Sequence, residues 1–307
     1  MKKYFLIFAL ITTHFFAIAQ KQKIVATTDG KCNAEKWELA FEDNFDGTTL
    51  NTNTWVNRGW SQGTLSNEGV GMYLTLDNIQ IENGICKMIP KKEKVIRKAV
   101  SWQPDSLILS DGLPNLRTYD FTGAYIETKT QYLYGKFEIR CKIPKEKGMW
   151  PAFWMYGERN KVNNEIDVFE FWNPENIFGK YSSKKLSKEV HMTVHYNHRF
   201  SSKKYEGDDY SQDFHTYTVV WDSTKIEWFV DGVSRRLSTY YQTKSGKNVE
   251  CKDVKAGKTY YTNPIFPSDP MTIIADLGIQ SGDQAPEVST FSNSFEIDYI
   301  RYYKSVK

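Results

Sequence analysis

Apolar and polar residues alternate along most of the chain after its first twenty positions. One such segment, from Tyr134 to Pro144, places four apolar residues on one side: Phe137, Ile139, Cys141 and Ile143. The charged residues between them face the other way: Glu138, Arg140 and Lys142. Because successive side chains of a strand point to opposite faces, this pattern predicts a half-buried β-strand.

Two further alternating segments lie close enough in sequence to predict a β-hairpin. Their apolar faces are formed by Tyr217, Val219 and Trp221 in the first and by Ile226, Trp228 and Val230 in the second. The second segment ends at Asp231-Gly232, a residue pair that favours a tight turn between paired strands.

The closing segment, from Phe295 to Lys304, alternates in the same way. It predicts one face formed by Phe295, Ile297 and Tyr299, and an opposite face formed by Glu296, Asp298 and Ile300. No long stretch after the first twenty residues has helical periodicity, and no segment repeats. Many strands separated by turn residues predict an all-β sandwich or barrel.

Three polar segments are predicted as long surface loops: Tyr181–Lys188, Ser201–Asp209 and Thr243–Lys258. None of them has the Pro- or Ser-rich composition of a linker. We therefore expect one domain over residues 20–307 rather than two smaller ones.

The first nineteen residues have the pattern of an export signal. Lys2 and Lys3 precede an apolar run, and Ala17-Ile18-Ala19 is a small-residue cleavage site. The apolar run is interrupted by polar residues and is short for a membrane span. No cysteine follows Ala19, which argues against a lipid anchor. We expect a secreted chain, extracellular or periplasmic, without a membrane anchor.

The net charge of the chain is slight and gives no indication of a nucleic-acid partner. The formal net charge is +3, from 40 Lys and Arg against 37 Asp and Glu. A local basic run, Lys91–Lys98, is interpreted either as a solvated loop or as a patch for an anionic substrate.

Four cysteines could form two disulfides in an oxidising compartment, and the sequence leaves three connectivities open. They are Cys32, Cys86, Cys141 and Cys251. Their spacing does not indicate a metal cluster. Cys86 and Cys141 lie in alternating apolar segments and could also be buried thiols.

The segment Asn164–Trp172 reads as a strand that carries three carboxylates: Glu165, Asp167 and Glu170. On a regular strand Glu170 would face away from the other two acids and into the core. A β-bulge with one extra residue, Val168 or Phe169, would turn all three acids to the same face. Trp172 would then join the acids.

Three acids on one face repel one another, which indicates a function. One possibility is a calcium site, and the other is a carboxylate pair for glycoside chemistry. Just upstream, Trp150 and Trp154 are four residues apart and would share a face if this segment is a strand. Broad aromatic faces suit sugar rings, so carbohydrate hydrolysis is the leading interpretation.

These residues give the chain its resemblance to glycoside hydrolase family 16. The family signature is Glu-x-Asp-x-x-Glu on a bulged strand, preceded by Gly-x-Trp-Pro-x-x-Trp; Glu165–Glu170 and Gly148–Trp154 match both. Further similar segments run through most of the chain: Trp37–Gly47, Leu50–Trp55, Thr122–Pro144, Asp213–Gly232 and Ser294–Lys304. The resemblance implies a β-jelly-roll sandwich of two curved antiparallel sheets with a concave substrate cleft.

Carried over by position, the resemblance implies that Glu165 is the nucleophile and Glu170 the general acid/base. Asp167 would orient Glu165 and tune its reactivity. The implied mechanism is retaining hydrolysis, for which the carboxyl groups of the two glutamates should lie about 5–6 Å apart. Glu170 must start protonated, so we expect a raised pKa.

Further sites follow from the resemblance or from aromatic character. The expected substrate contacts are Trp150, Trp154, Trp172, His195 and Asn67. His191, on the same predicted face as His195, and His195 itself could instead be structural. No cofactor is required. A structural Ca²⁺ is possible near the closing strand, with Asp43 or Asp298 as candidates, although we assign no metal.

The expected partner is a polysaccharide, and we expect a monomer. The bulged motif resembles the laminarinase, agarase and carrageenase branches of the family, but the Asn163-Asn164 lead-in differs from typical laminarinases. Both β-glucan and algal galactan therefore stay open as substrates. So do two alternatives in function: a non-catalytic carbohydrate-binding jelly roll, and a transglycosylase that uses the same residues.

Overall fold

The computed structural model describes residues 21–30, 32, 36–57, 72–100, 103–109, 112–159, 162–172, 187–280, 291 and 293–306. In chain order the first strands are β1 (Lys23–Val25), β2 (Trp37–Asp43), β3 (Trp55–Val56), β4 (Met72–Thr75), β5 (Ile79–Glu82), β6 (Ile85–Met88), β7 (Val95–Lys98), β8 (Leu116–Tyr119), β9 (Phe121–Thr128), β10 (Gly135–Lys142) and β11 (Met149–Arg159). They are followed by β12 (Val162–Glu170), β13 (Glu189–Tyr196), β14 (Arg199–Glu206), β15 (His215–Trp221), β16 (Lys225–Val230), β17 (Val233–Thr239), β18 (Tyr241–Gln242), β19 (Thr259–Thr262), β20 (Thr272–Ile279) and β21 (Phe295–Ser305). Two 3₁₀ helices, Leu76–Asn78 and Cys251–Asp253, are the helices of these described ranges.

Two eight-stranded sheets form the body of the molecule. The front sheet has the order β14-β13-β12-β11-β20-β9-β3, with β4 paired to β9. The back sheet has the order β17-β16-β15-β10-β21-β6-β5, with β2 paired to β21. All of these pairs are antiparallel except β4 with β9, which is parallel. The predicted all-β sandwich is confirmed.

The core lies between the two sheets and is rich in aromatic residues. The ring of Phe169 in the front sheet lies 4.4 Å from the ring of Tyr217 in the back sheet, centre to centre. The apolar positions of the predicted hairpin are buried in the same core. Its turn also forms as predicted: Asp231 and Gly232 have φ angles of 50° and 75°, which glycine adopts at little cost.

The closing strand differs from its prediction after Ile297. Its pairing with β10 shifts by one residue, because Arg140 lies opposite Tyr299 and Cys141 lies opposite Ile297. Asp298 is the extra residue of this bulge. Ile300 is therefore buried and Tyr299 is half-exposed, the reverse of the predicted faces.

Two polar segments predicted or interpreted as loops contain strands. Most of Ser201–Asp209 belongs to β14, the edge strand of the front sheet. Val95–Lys98, within the basic run, pairs with β8 in a two-stranded ribbon. Both strands are largely solvent-exposed, so neither has the apolar alternation that identifies a half-buried strand. The Tyr181–Lys188 loop prediction lies mostly outside the described residues.

One disulfide, Cys32–Cys251, joins residues 219 positions apart. It links the N-terminal segment to the 3₁₀ helix at Cys251–Asp253, beside a small sheet of β1, β19 and β18. Cys86 and Cys141 are buried free thiols, so the two-disulfide arrangement does not form. Among the described residues, the search for a helix with the length and apolar character of a membrane span found none.

Candidate active site

A bulge in β12 brings the three acids of the signature to one face of the front sheet. Opposite β11, Phe169 pairs with Phe153 and Asp167 pairs with Trp154, which leaves Val168 without a partner. The pairing with β13 shifts at the same place. Val168, one of the two residues that the sequence left open, is thus the extra residue, and Ile166 and Phe171 are buried in the core as predicted.

The back sheet supports this bulge from inside the sandwich. Trp228 of β16 donates its indole N–H to the backbone carbonyl of Asp167 at 2.8 Å. Arg236 of β17 lies 4.4 Å from the centre of the Trp228 ring and donates hydrogen bonds to the carbonyl oxygens of Met192 and Ser201. A buried carbonyl without a partner would be costly, so this cross-sheet bond stabilises the irregular backbone.

The acids line a pocket of about 160 Å³ on the outer face of the front sheet. Its lining residues are Trp150, Ala152, Trp154, Glu165, Asp167, Glu170 and Asp276. All come from three adjacent strands, β11, β12 and β20. The pocket therefore brings together two of the predicted aromatic contacts and all three predicted acids.

Trp150 and Trp172 form a stacked pair beside Glu170. Their ring centres are 5.6 Å apart and their planes differ by 27°. The Trp150 indole N–H donates to Glu170 Oε1 at 3.1 Å. Both rings are half-exposed, so they leave aromatic surface next to the carboxyl group.

Trp154 and Asp276 form a second unit in the floor of the pocket. The Trp154 side chain is buried, and its indole N–H donates to Asp276 Oδ1 at 2.7 Å. With only 8% of its surface exposed, Trp154 offers little ring face to a ligand, unlike the platform that the sequence predicted. Burial raises the pKa of Asp276 to about 8, and the charge of Glu170 contributes.

Sequence reasoning missed Asp276. Its signal was a lone acid within the otherwise apolar strand segment Thr272–Ile279. A single buried acid has many explanations, so only its position opposite Ala152 in the sheet associates it with the site.

His195 lies directly across the strand pair from Glu165, at the edge of the acid cluster. Its Nε2 atom is 3.3 Å from Asp167 Oδ2 and 3.9 Å from Glu165 Oε1. Phe200 of β14, itself largely exposed, packs against the imidazole. His195 can therefore contact a ligand that is bound beside these acids.

His191 is more buried and has a different environment. It lies opposite Glu170 and packs against Trp172, with its Nε2 3.1 Å from Glu189. Burial lowers the pKa of His191 to about 4, although Glu189 opposes the shift. At neutral pH it is an uncharged group that supports Trp172.

The electrostatics of the pocket favour protonated carboxyl groups. Burial raises the pKa of Glu165 to about 8, with the charge of Asp167 adding to the shift and His195 opposing it. Burial raises the pKa of Glu170 to about 7, with Glu165 adding to the shift and the Trp150 hydrogen bond opposing it. Two interacting carboxyl groups of this kind titrate as a pair, so the pair retains a proton near neutral pH.

Asp167 is almost fully buried, with 2% of its surface exposed. Burial raises its pKa well above the ordinary value, the charge of Glu170 adds to this, and the positive charge of Arg236 opposes it. Arg236, like Asp276, is a charged neighbour of the acids that the sequence did not reveal, because it is remote in the chain from the signature.

Two groups of acidic residues are candidates for holding a cation. Ligand atoms of Glu165, Asp167 and His195 lie within 4.8 Å of one another, but the same atoms surround the carboxylate pair and we assign them no metal. The two calcium candidates are engaged by protein groups: Asp43 accepts hydrogen bonds from Phe45 and Trp55, and Asp298 pairs with Arg140 at 2.5 Å. The structural Ca²⁺ stays a prediction. Asn67 lies outside the described residues.

The chain matches a known protein family. The family model described as "Glycosyl hydrolases family 16" matches residues 96–301. The chain is 26% identical to a beta-glucanase of Rhodothermus marinus over 91% of this chain and 90% of the relative. It is 25% identical to glucan endo-1,3-beta-glucosidase A1 of Niallia circulans over 87% of this chain, which spans 38% of the relative's length.

A similar solved structure is the catalytic domain of an endo-1,3-beta-glucanase (laminarinase) from Thermotoga petrophila. It is 25% identical to this chain, with a TM-score of 0.60. The superposition covers 89% of this chain and all of that domain.

Proposed function

The chain belongs to glycosyl hydrolases family 16, and we propose that it is an endo-acting, retaining glycoside hydrolase that cleaves β-linked polysaccharide by double displacement. The observation that carries the proposal is the acid pocket. The bulge at Val168 puts the side chains of Glu165 and Glu170 on the same face of the front sheet, and both line this pocket. This pairing is what acid/base and nucleophilic attack on one glycosidic bond require.

In the first step, a Glu165 carboxylate oxygen attacks the anomeric carbon of the sugar and forms a covalent ester. The glycosidic C–O bond breaks as Glu170 transfers its proton to the departing oxygen. In the second step, Glu170 removes a proton from water, the water oxygen attacks the same carbon, and Glu165 leaves as a carboxylate. The two inversions together retain the anomeric configuration.

These roles require the shared proton on Glu170 when the substrate is bound. In the free molecule burial raises the pKa of both Glu165 and Glu170, so the pair has one proton to share. Electrostatic interaction with His195 lowers the pKa of both Glu165 and Glu170, and its Nε2 atom lies close to Glu165 and Asp167. His195 is therefore proposed as a substrate contact beside the nucleophile.

The stacked rings of Trp150 and Trp172 are proposed to hold a sugar ring beside Glu170. A sugar presents C–H groups on its faces and hydroxyls at its edges, so an aromatic surface beside a carboxyl group suits both. Asp167, held by the Trp228 hydrogen bond to its backbone, is proposed to orient Glu165.

For the substrate we propose a neutral β-glucan. None of the seven lining residues of the acid pocket is Lys or Arg, so the lining of this pocket offers no lysine or arginine to a sulfate group. Two basic residues of the Lys91–Lys98 run are paired elsewhere, Lys94 with Asp120 and Lys98 with Asp105. The glucanase names of the similar proteins support the same choice.

We also propose that the chain is exported. The signal pattern of residues 1–19 motivates this, and the Cys32–Cys251 disulfide supports it because such bonds persist in oxidising compartments.

The test is hydrolysis of laminarin, mixed-linkage glucan, agarose, porphyran, carrageenan and mucin glycans by the wild type, Glu165→Gln and Glu170→Gln. We expect release of oligosaccharides from a β-glucan and a loss of at least about 100-fold in rate for each variant. Glu227→Gln, on the back sheet and paired with Lys225, is the matched control and should keep full activity.

Near-full activity in Glu165→Gln or Glu170→Gln would contradict the assignment. Binding of the wild type to these polysaccharides without turnover would instead support a non-catalytic carbohydrate-binding protein. Longer products in the presence of acceptor sugars would identify a transglycosylase.

A further inference from the structure

A second pocket has a volume of about 310 Å³. It is lined by Gln22, Tyr134, Tyr196, Ser223, Tyr240, Thr262, Asn263, Pro264, Phe266 and Ser268. The pocket shares no lining residue with the acid pocket. One lining residue, Tyr196, is the last residue of β13 in the front sheet and follows His195 directly, so its side chain points to the opposite face from His195.

The aromatic walls of this pocket are held in place by edge-to-face contacts. The ring centres of Tyr240 and Phe266 are 5.6 Å apart at 75°, and those of Tyr134 and the core residue Trp221 are 4.9 Å apart at 74°. Such contacts fix ring orientation, so the pocket is formed before any ligand arrives.

The polar wall is equally well anchored. The Asn263 amide donates to Ser238 Oγ at 3.1 Å and to the Thr239 carbonyl at 3.2 Å. Gln22, from the N-terminal segment, donates its backbone N–H to Thr262 Oγ1 at 2.9 Å. Two separate parts of the chain thus close one side of the pocket.

The chemistry of the lining is uniform: aromatic rings, hydroxyls and amides, with no charged side chain. Within the described residues, no hydrogen bond occupies the side-chain hydroxyls of Tyr134, Tyr196 or Tyr240. Burial raises the pKa of Tyr134, and the nearby charges of Asp222 and Asp269 add to the shift, so the local field is negative. An anionic ligand is disfavoured here.

We propose that this pocket is a second binding site, separate from the acid pocket, for a neutral saccharide. Rigid aromatic rings would pack on the faces of one sugar ring, and free tyrosine hydroxyls would bond to its hydroxyl groups. A polysaccharide bound there would be held at this site while another part of the same or a neighbouring polysaccharide chain occupies the acid pocket.

The test is a titration of the Glu165→Gln chain with laminaribiose, followed by backbone amide signals in NMR spectra. We expect saturable shifts at Thr262 and Asn263, and no such shifts with galactose 6-sulfate. Tyr240→Ala should weaken this binding by about threefold to tenfold. Ser268→Glu, at an exposed rim position, should weaken it similarly without a risk to folding.

Tyr299→Ala, on the outer face of the back sheet, is the matched control and should leave the affinity unchanged. Absence of shifts at Thr262 and Asn263, or unchanged affinity in Ser268→Glu, would overturn the inference. An equal response to the sulfated sugar would overturn the assignment to neutral saccharides. Saturable shifts in a chain that hydrolyses none of the polysaccharides would overturn the proposed function alone, and hydrolysis without shifts would overturn the second site alone.

Discussion

At the scale of single residues, Glu165, Glu170 and Asp276 carry raised pKa values because the sheet and its aromatic side chains exclude water from them. A carboxyl group whose pKa is raised by folding binds its proton more tightly in the folded chain than in the unfolded chain. Its contribution to stability is therefore complete below its ordinary pKa and is lost as the pH rises through the folded pKa.

Glu170→Gln should consequently stabilise the protein at alkaline pH. The folded pKa of about 7 lies above the ordinary 4.5, so between these values the unfolded chain releases a proton that the folded chain keeps. Glutamine is neutral at every pH and can still accept the Trp150 hydrogen bond. We expect the variant and the wild type to have similar unfolding free energies at pH 4.5. At pH 8 the variant should be more stable by on the order of 1–3 kcal/mol, which urea unfolding at the two pH values would measure.

Asp209→Asn provides a control in which the change in stability with pH should have the opposite sign. Burial alone would raise the pKa of Asp209, but hydrogen bonds from Lys145, Ser187 and Ser211 outweigh it and hold the pKa well below its usual range. That variant should lose stability at pH 8 and recover relative to the wild type as the pH falls. A Glu170→Gln variant that is destabilised equally at both pH values would contradict the environment described for Glu170.

The sequence was sufficient to predict the positions of the three acids and of His195, because they lie in one signature and in one alternating strand. It could not predict Asp276 or Arg236. Each is more than sixty residues from Asp167 in the chain, and each reaches the site through sheet pairing or packing. Whether Trp154 offers a ring face to a ligand was also beyond the sequence, since this depends on the Asp276 hydrogen bond.

At the scale of elements, the bulge in β12 depends on its contact with the opposite sheet. Strands were well predicted wherever one face is buried, as in β10, β15 and β16. Prediction failed at β14, where solvent contacts both faces, and after Ile297 in β21, where a second bulge exchanges Tyr299 and Ile300. No residue pattern in the sequence indicates the bulge in β21, whereas the three acids of β12 indicated the bulge there.

Trp228→Phe should disturb the backbone at the β12 bulge more than it disturbs the rest of the fold. The substitution removes the donor to the Asp167 carbonyl, and an unpaired buried carbonyl costs about 1–3 kcal/mol. We expect this loss of stability in urea unfolding, together with a fall in kcat of about tenfold or more, because Asp167 and Glu170 lose their fixed positions.

Trp221→Phe is the matched control. Trp221 is also fully buried in the back sheet, and its indole N–H donates to the Pro267 carbonyl, away from the acids. It should lose a similar amount of stability and keep its kcat. Equal kcat losses in the two variants would show that the bulge has no particular dependence on Trp228.

At the scale of the whole molecule, the Cys32–Cys251 disulfide connects the N-terminal segment to the 3₁₀ helix between β18 and β19. The small sheet of β1, β19 and β18 lies beside it, and the sequence could not identify the pairing because three connectivities were possible. The free thiols of Cys86 and Cys141 are in the core, where alternation had indicated that they could be buried.

The double variant Cys32→Ser, Cys251→Ser should be less stable by about 2–5 kcal/mol, because the bond closes a long loop in the unfolded chain. Hydrolysis well below the melting temperature should persist, since neither cysteine lines the acid pocket. The measurement is urea unfolding with and without reductant. Reductant should lower the wild-type midpoint to that of the variant and leave the variant itself unchanged; a wild-type midpoint insensitive to reduction would contradict the prediction.

The most direct single measurement is mass spectrometry of the wild-type protein after reaction with a 2-deoxy-2-fluoro glycoside of the sugar that it hydrolyses. Such a reagent forms the covalent intermediate quickly and releases it slowly. The account predicts one added sugar per chain, located on the peptide that contains Glu165. An active protein that forms no adduct, or that carries the sugar on Asp167 or Glu170, would contradict it.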